Sequence, residues 1–180
     1  NYDRTLEHFL EHWMALTFPL TIDEARESLK PLKIIHPYGT VGSLTEEQNG
    51  PLVAFGSNVP NQDLVPIANC IDTIHDAQRG VEDAVSEARS LVSQADALIF
   101  LGFAFHTQNL EVLFGDGLDK DLRRGKQVRG TALGISESDH EVVRRQLSKL
   151  AGVSLGQVSL SPNASCSVFF DQNTKFLEQL

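Results

Sequence analysis

From Thr5 onward, Leu6, Phe9, Leu10, Trp13 and Leu16 recur at the spacing of one helical face, which predicts an amphipathic helix. Thr21 followed three residues later by Glu24 is a capping-box signature and opens a second short helix to about Leu29, stopped by Pro31. Leu32–His36 is a short apolar run ended by Pro37, and it is predicted as a buried strand. Pro51–Phe55 reads as another strand. Leu64–His75 is ambiguous, with Val65, Ala68, Ile71 and Ile74 at roughly helical spacing. The plainest helix is marked by Val81, Val85, Ala88, Leu91, Val92 and Ala95, and Ala97–Leu101 follows it as the plainest strand. Thr107 is expected to cap a helix containing Leu110, Val112, Leu113 and Phe114. Further along, Gln127–Ile135 is a strand candidate, and Ser138 with Glu141 opens a helix to about Leu150. Ser165–Phe170 is a last strand and Phe176–Leu180 a closing helical turn.

An all-apolar strand directly after an amphipathic helix is what a parallel sheet covered on both faces requires. The predicted fold class is therefore α/β, a doubly wound, mainly parallel, Rossmann-like sheet in one domain spanning 1–180. The chain opens on Asn1-Tyr2-Asp3 and runs straight into a helical pattern, so it is expected to lack N-terminal strands.

Composition narrows this picture only a little. Hydrophobic residues at 41% and charged residues at 22% are ordinary globular values. Fifteen basic against 24 acidic residues leave a net charge of −9, a field that repels a phosphate backbone. Arg123, Arg124, Lys126 and Arg129 are interleaved with Asp116, Asp119 and Asp121, which reads as a solvated loop and not as a nucleic-acid footprint. No apolar run approaches the roughly 20 residues that span a bilayer. Cys70 and Cys166 are too few for a disulfide framework or a structural zinc, and they point to a reducing, cytoplasmic setting without a metal.

In open parallel sheets ligands bind at the carboxyl ends of strands. Three segments fit that location: Asn1-Tyr2-Asp3, the turn after His36, and the turn Gly102–Asn109. The order NYD, then IIHPYG, then LIFLGFAFHTQN resembles the later motifs of the sirtuin-like (silent-information-regulator-like) NAD-binding family, in its zinc-free form and in its C-terminal portion. The resemblance implies roles position by position. Asn1 matches the asparagine beside the scissile nicotinamide–ribose bond, and Asp3 the acid that helps hold the nicotinamide end. His36 matches the general base directed at a ribose hydroxyl, a task suited to an imidazole. Gly102, Phe103 and Ala104 match the turn whose backbone approaches the nucleotide, although Phe103 and Ala104 supply no hydroxyl where sirtuins proper often carry one. Asn109 is placed to touch a ribose.

Two departures limit what the resemblance implies. Two cysteines cannot build the four-cysteine zinc module of deacylating sirtuins, which disfavours protein deacylation. The family's strand and glycine-rich phosphate loop have no counterpart either. Gly115-Asp116-Gly117 does not substitute for them, because it follows a helix and lies among carboxylates. The chain alone is then expected to bind NAD poorly.

Each residue also has a plainer reading. Asn1 can be the stub of a strand, Asp3 a helix N-cap, His36 an ordinary strand-end residue, Gly102 a close-packing site and Asn109 a helix-end residue. His106 can be a loop histidine, and His8 with His12, although at metal-pair spacing, a solvated helix face. The leading expectation is part of a domain that consumes NAD as substrate, a chemistry that the resemblance ties to bacterial proteins including anti-phage defence proteins. The alternative is a nucleotide-binding or interaction module without turnover. A sheet edge left without its strands predicts a possible homodimer.

Overall fold

The computed structural model describes residues 3–41, 55–58, 64–71, 82–115, 117 and 125–180. The chain divides into two compact units, Asn1–Val85 and Ser86–Leu180, each with its own logic.

The first unit is built on two packed helices, α1 (Thr5–Thr17) and α2 (Ile22–Leu29). Helix α2 carries the capping box that the sequence predicts: Glu24 N–H donates to Thr21 Oγ1 and Thr21 N–H donates to Glu24 Oε2. Helix α1 forms where predicted but turns the other way. Leu6, Phe9, Trp13 and Leu16 are exposed by 55, 59, 47 and 86%, whereas Glu7 and Glu11 are buried. The acidic residues face inward because cations wait for them there. Arg26 Nε lies 3.1 Å from Glu11 Oε2, while Arg4 and His36 engage Glu7. Charges withdrawn from water stay charged only when paired in this way.

Leu32–His36 forms no strand. Residues 33–36 are irregular, Leu32 N–H closes a turn onto Leu29 O, and Leu32 is half exposed. Pro31 and Pro37 bracket the run, and a proline can donate nothing to a ladder. The predicted strand Pro51–Phe55 lies outside the described residues except for Phe55, which sits in a turn. From the ambiguous stretch a short helix α3 (Leu64–Ala68) emerges.

The second unit holds α4 (Glu82–Gln94), which crosses into it from the first, then β1 (Ala97–Phe100), α5 (Thr107–Phe114), β2 (Gln127–Thr131), α6 (Glu137–Ala151), β3 (Val158–Ser161) and α7 (Cys166–Leu177). The strands make a three-stranded parallel sheet in the order β1-β2-β3, with Leu98 opposite Val128 and Val128 opposite Val158. The α/β class with a parallel sheet flanked by helices is therefore present. The order runs in one direction through these three strands.

Burial alternates along each strand. Leu98, Phe100, Val128, Val158 and Leu160 are buried beneath Leu110 and Phe114 of α5 and Val143, Leu147 and Ala151 of α6. Fully burying one such side chain stabilises by about 1.5–3 kcal/mol. The opposite face is less enclosed: Ile99 and Arg129 are half-buried and Ser159 is exposed. There the Arg129 guanidinium lies 4.1 Å from the centre of the Phe176 ring and donates to Asn173 of α7. Gly130 lets β1 and β3 close around it, since a Cβ there would sit 2.6 Å from Phe100 O and 3.3 Å from Leu160 Cδ2.

Three further expectations change. Ser165–Phe170 is not a strand but the start of α7, with Ser165 Oγ accepting from Val168 N–H and Phe169 buried. The strand is β3, where Val158 and Leu160 alternate with two serines. Helix α6 is capped by Ser136 and not by Ser138: Ser136 Oγ accepts from Asp139 N–H. Thr107 is the first residue of α5, with His106 in the capping position and no side-chain cap. Among the described residues no helix is long and apolar enough to cross a membrane.

Candidate functional site

In the first unit, the N-terminal part of α1 and the segment before Pro37 form the walls of an open groove of about 560 Å³. Leu6, Phe9, Ile34 and Ile35 give it apolar walls, and Asp3, Thr5 and His36 give it polar groups. Two of the sequence-predicted residues, Asp3 and His36, thus meet at one groove. Asn1 lies outside the described residues.

The backbone around His36 is fixed by a tight turn. Gly39 N–H donates to His36 O, and Gly39 adopts φ +77°, where a side chain is strained. A Cβ on Gly39 would also run into the carbonyl oxygen of Cys70, across the bridge that Gly39 makes with Ile71. This glycine is required both by its dihedral and by the close approach of the Cys70 carbonyl.

The imidazole itself is held by α1. His36 Nε2 lies 2.8 Å from Glu7 Oε1, and the two side chains are only 14% and 10% exposed. Arg4 Nε donates to the same oxygen at 3.1 Å. Burial pushes the Glu7 carboxyl up, but the His36 hydrogen bond, its backbone bonding, the His36 charge and Arg4 together outweigh that and hold it below the ordinary carboxylate value. Glu7 Oε2 is buried and has no hydrogen-bond partner among the described residues. His36 is therefore neither a strand-end residue nor solvent-facing; it is the inner wall of the groove.

Asp3 serves the helix as well as the groove. Its Oδ1 accepts from Thr5 N–H at 3.0 Å, satisfying one of the orphan donors of the first turn. The Thr5 side chain and then the Thr5 backbone hold the Asp3 carboxyl below its ordinary value.

The other four predicted residues lie in the second unit, on the loop from β1 to α5 and at the start of α5. Gly102 takes φ +61° with nothing within 4 Å of where a Cβ would be. Close packing is thus not its reason; the left-handed turn is. Its N–H donates to Thr131 Oγ1 at the end of β2, 2.9 Å away, so the strand-end loop is tied to the neighbouring strand. Phe103 is half-buried against Phe100 and Phe105, Ala104 is exposed, and Asn109 is half-buried in the first turn of α5.

Sequence reasoning missed two groups here. Phe105 is buried at φ +55°, a conformation that costs a non-glycine residue about 1–2 kcal/mol. No sequence signal announces it. Glu7 did leave a signal: Glu7 and Glu11 share a helix face, with Arg4 one turn before.

The remaining candidates have structural employment. His8 stacks on His12 with centroids 4.1 Å apart and on Phe55 at 4.3 Å, so the pair is a ring stack in which His12 stays exposed to solvent. Lys126 is buried and donates to Val92 O and Ser93 O at the end of α4. Among the described residues no three His, Cys, Asp or Glu side chains gather as metal ligands do. No protein-family model, curated protein or solved structure matches this chain.

Proposed function

We propose that His36 is the general base of a sirtuin-like, NAD-cleaving site, with the groove beside it taking the nicotinamide end of the substrate. The observation that carries this reading is the His36–Glu7 pair at the wall of an apolar-sided groove that also holds Asp3. A flat aromatic amide fits apolar walls with a few polar groups at their rim. In the proposed reaction the glycosidic C–N bond breaks and its electron pair stays on the pyridine nitrogen, releasing neutral nicotinamide. Water forms the new C–O bond and gives its proton to His36, leaving ADP-ribose; where a ribose hydroxyl attacks instead, the product is cyclised. The ribosyl centre is oxocarbenium-like, so alignment and one base supply most of what the reaction needs. On this reading β1–β3 are one half of a doubly wound sheet. The activity is expected of the natural protein that contains these residues.

Isoleucine-methyl NMR of that protein tests the groove assignment. Nicotinamide or NAD is expected to shift the methyl signals of Ile34 and Ile35. Unshifted signals at millimolar nicotinamide, with shifts elsewhere, would reject the groove as the nicotinamide subsite.

A second reading has its own support. Leu6, Phe9, Trp13 and Leu16 form an exposed apolar row along α1, which suits an interaction module without turnover. A second copy of the chain is one occupant. Light scattering after size-exclusion chromatography, giving a clean monomer at high concentration, would count against that dimer.

A further inference from the structure

An ionised carboxylate can only accept hydrogen bonds, whereas a neutral imidazole donates from one nitrogen and accepts at the other. The atom of His36 that faces Glu7 Oε1 at 2.8 Å is Nε2, so that nitrogen must carry a proton. In the neutral ring the lone pair is then on Nδ1. Glu7 cannot readily move away from this arrangement: it projects from the inward face of α1, its side chain is 10% exposed, and Arg4 Nε grips the same oxygen. Its second oxygen is buried without a hydrogen bond among the described residues, an expense that a merely solvated glutamate would not incur.

We infer that Glu7 is a positioning residue, which through Nε2–H fixes the tautomer and ring plane of His36. The catalytic consequence rests on His36 being the base as proposed above; the tautomer itself does not. A plain structural clasp, holding residues 33–36 onto α1, predicts something different. It would lose stability when Glu7 is changed but would show no coupling between ring tautomer and turnover.

The test has two arms. In the first, the chain is labelled with ¹⁵N-histidine and the ring nitrogens of His36 are assigned by long-range ¹H–¹⁵N correlation. The wild-type chain is expected to carry the neutral-ring proton on Nε2. In Glu7→Gln the amide can turn its NH₂ toward the ring, so the preference for Nε2–H is lost, and Glu7→Asp restores it in part. A wild-type proton on Nδ1, or an unchanged tautomer in Glu7→Gln, overturns the inference. Should Glu7→Gln fail to fold, the wild-type and Glu7→Asp spectra still decide it.

In the second arm, nicotinamide release is measured in the full-length protein. Glu7→Gln is expected to lower kcat by about 10-fold or more with KM nearly unchanged, short of the roughly 10²–10⁴-fold that losing the base costs. Full kcat in Glu7→Gln beside a dead His36→Ala overturns the positioning role. Full kcat in His36→Ala instead sinks the base assignment, and the spectra then judge Glu7 alone.

Discussion

Glu7 and His36 stand 29 positions apart, and the structure brings His36 Nε2 within 2.8 Å of Glu7 Oε1 in a nearly enclosed setting. One contact ties the first helix to the segment that lines the groove. It also explains why α1 turns its acidic face inward and leaves Leu6, Phe9, Trp13 and Leu16 exposed.

That contact sets a pH dependence. The Glu7 carboxyl is held below its ordinary value of 4.5 in the folded chain. A depressed carboxylate contributes stability that is fully present above the unfolded pKa and is lost as pH falls through the lower folded pKa. Urea unfolding of wild type and Glu7→Gln across pH 2–6 is therefore expected to show a difference that shrinks on acidification below about 4.5. A difference that stays constant over that window would contradict the pairing.

Two glycines, Gly102 in the loop after β1 and Gly130 within β2, separate backbone strain from crowding. Gly102→Ala meets open space and is expected to cost only the left-handed penalty, about 1 kcal/mol. Gly130→Ala drives a methyl to 2.6 Å from Phe100 O and is expected to cost about 1–3 kcal/mol or more, as overpacking does. Chemical denaturation of both variants checks the ranking, and equal losses would refute it.

Ser136 caps α6, and Ser138 does not. Ser136→Ala is expected to destabilise by about 1 kcal/mol, against a few tenths for Ser138→Ala, whose hydroxyl pairs with the Ser136 hydroxyl and caps no backbone N–H among the described residues. The reverse order in thermal melts would restore Ser138 as the cap.

Thr131→Val should loosen the β1–α5 loop, since the Gly102 N–H loses its acceptor while the side-chain volume is kept. Faster amide exchange at Gly102 is the expected signature, with Thr131→Ser close to wild type; unaltered exchange in Thr131→Val would remove this link.

Local rules carried a good part of the fold. Thr21 with Glu24 gave a full capping box, α4 and β1 follow from periodicity and an apolar run, and β2 is the first five residues of the predicted Gln127–Ile135 strand. What failed was set by partners remote in sequence. The inward face of α1 depends on Arg26 and His36, which no window around Glu7 contains. Leu32–His36 has strand composition but lies between two prolines with its histidine drawn to a helix. Ser165–Phe170 looked like a strand because its aromatics adjoin, while the cap at Ser165 and the buried Phe169 with Phe176 one face further on mark a helix. The alternation in Val158-Ser159-Leu160-Ser161, which is β3, was passed over because it is only four residues long. At the groove, Asp3 and His36 were readable as residue types; Glu7 left only its spacing to Arg4 and Glu11 as a signal, and its pairing with His36 required the packed helix.

The most direct measurement of the central claim is nicotinamide release from NAD by the full-length natural protein and by its His36→Ala variant, both confirmed as folded. The account predicts release by the first, and a fall of roughly 10²–10⁴-fold or more in the second. Equal rates in the two, or no release by the unsubstituted protein under any condition, would contradict His36 as the base of an NAD-cleaving site.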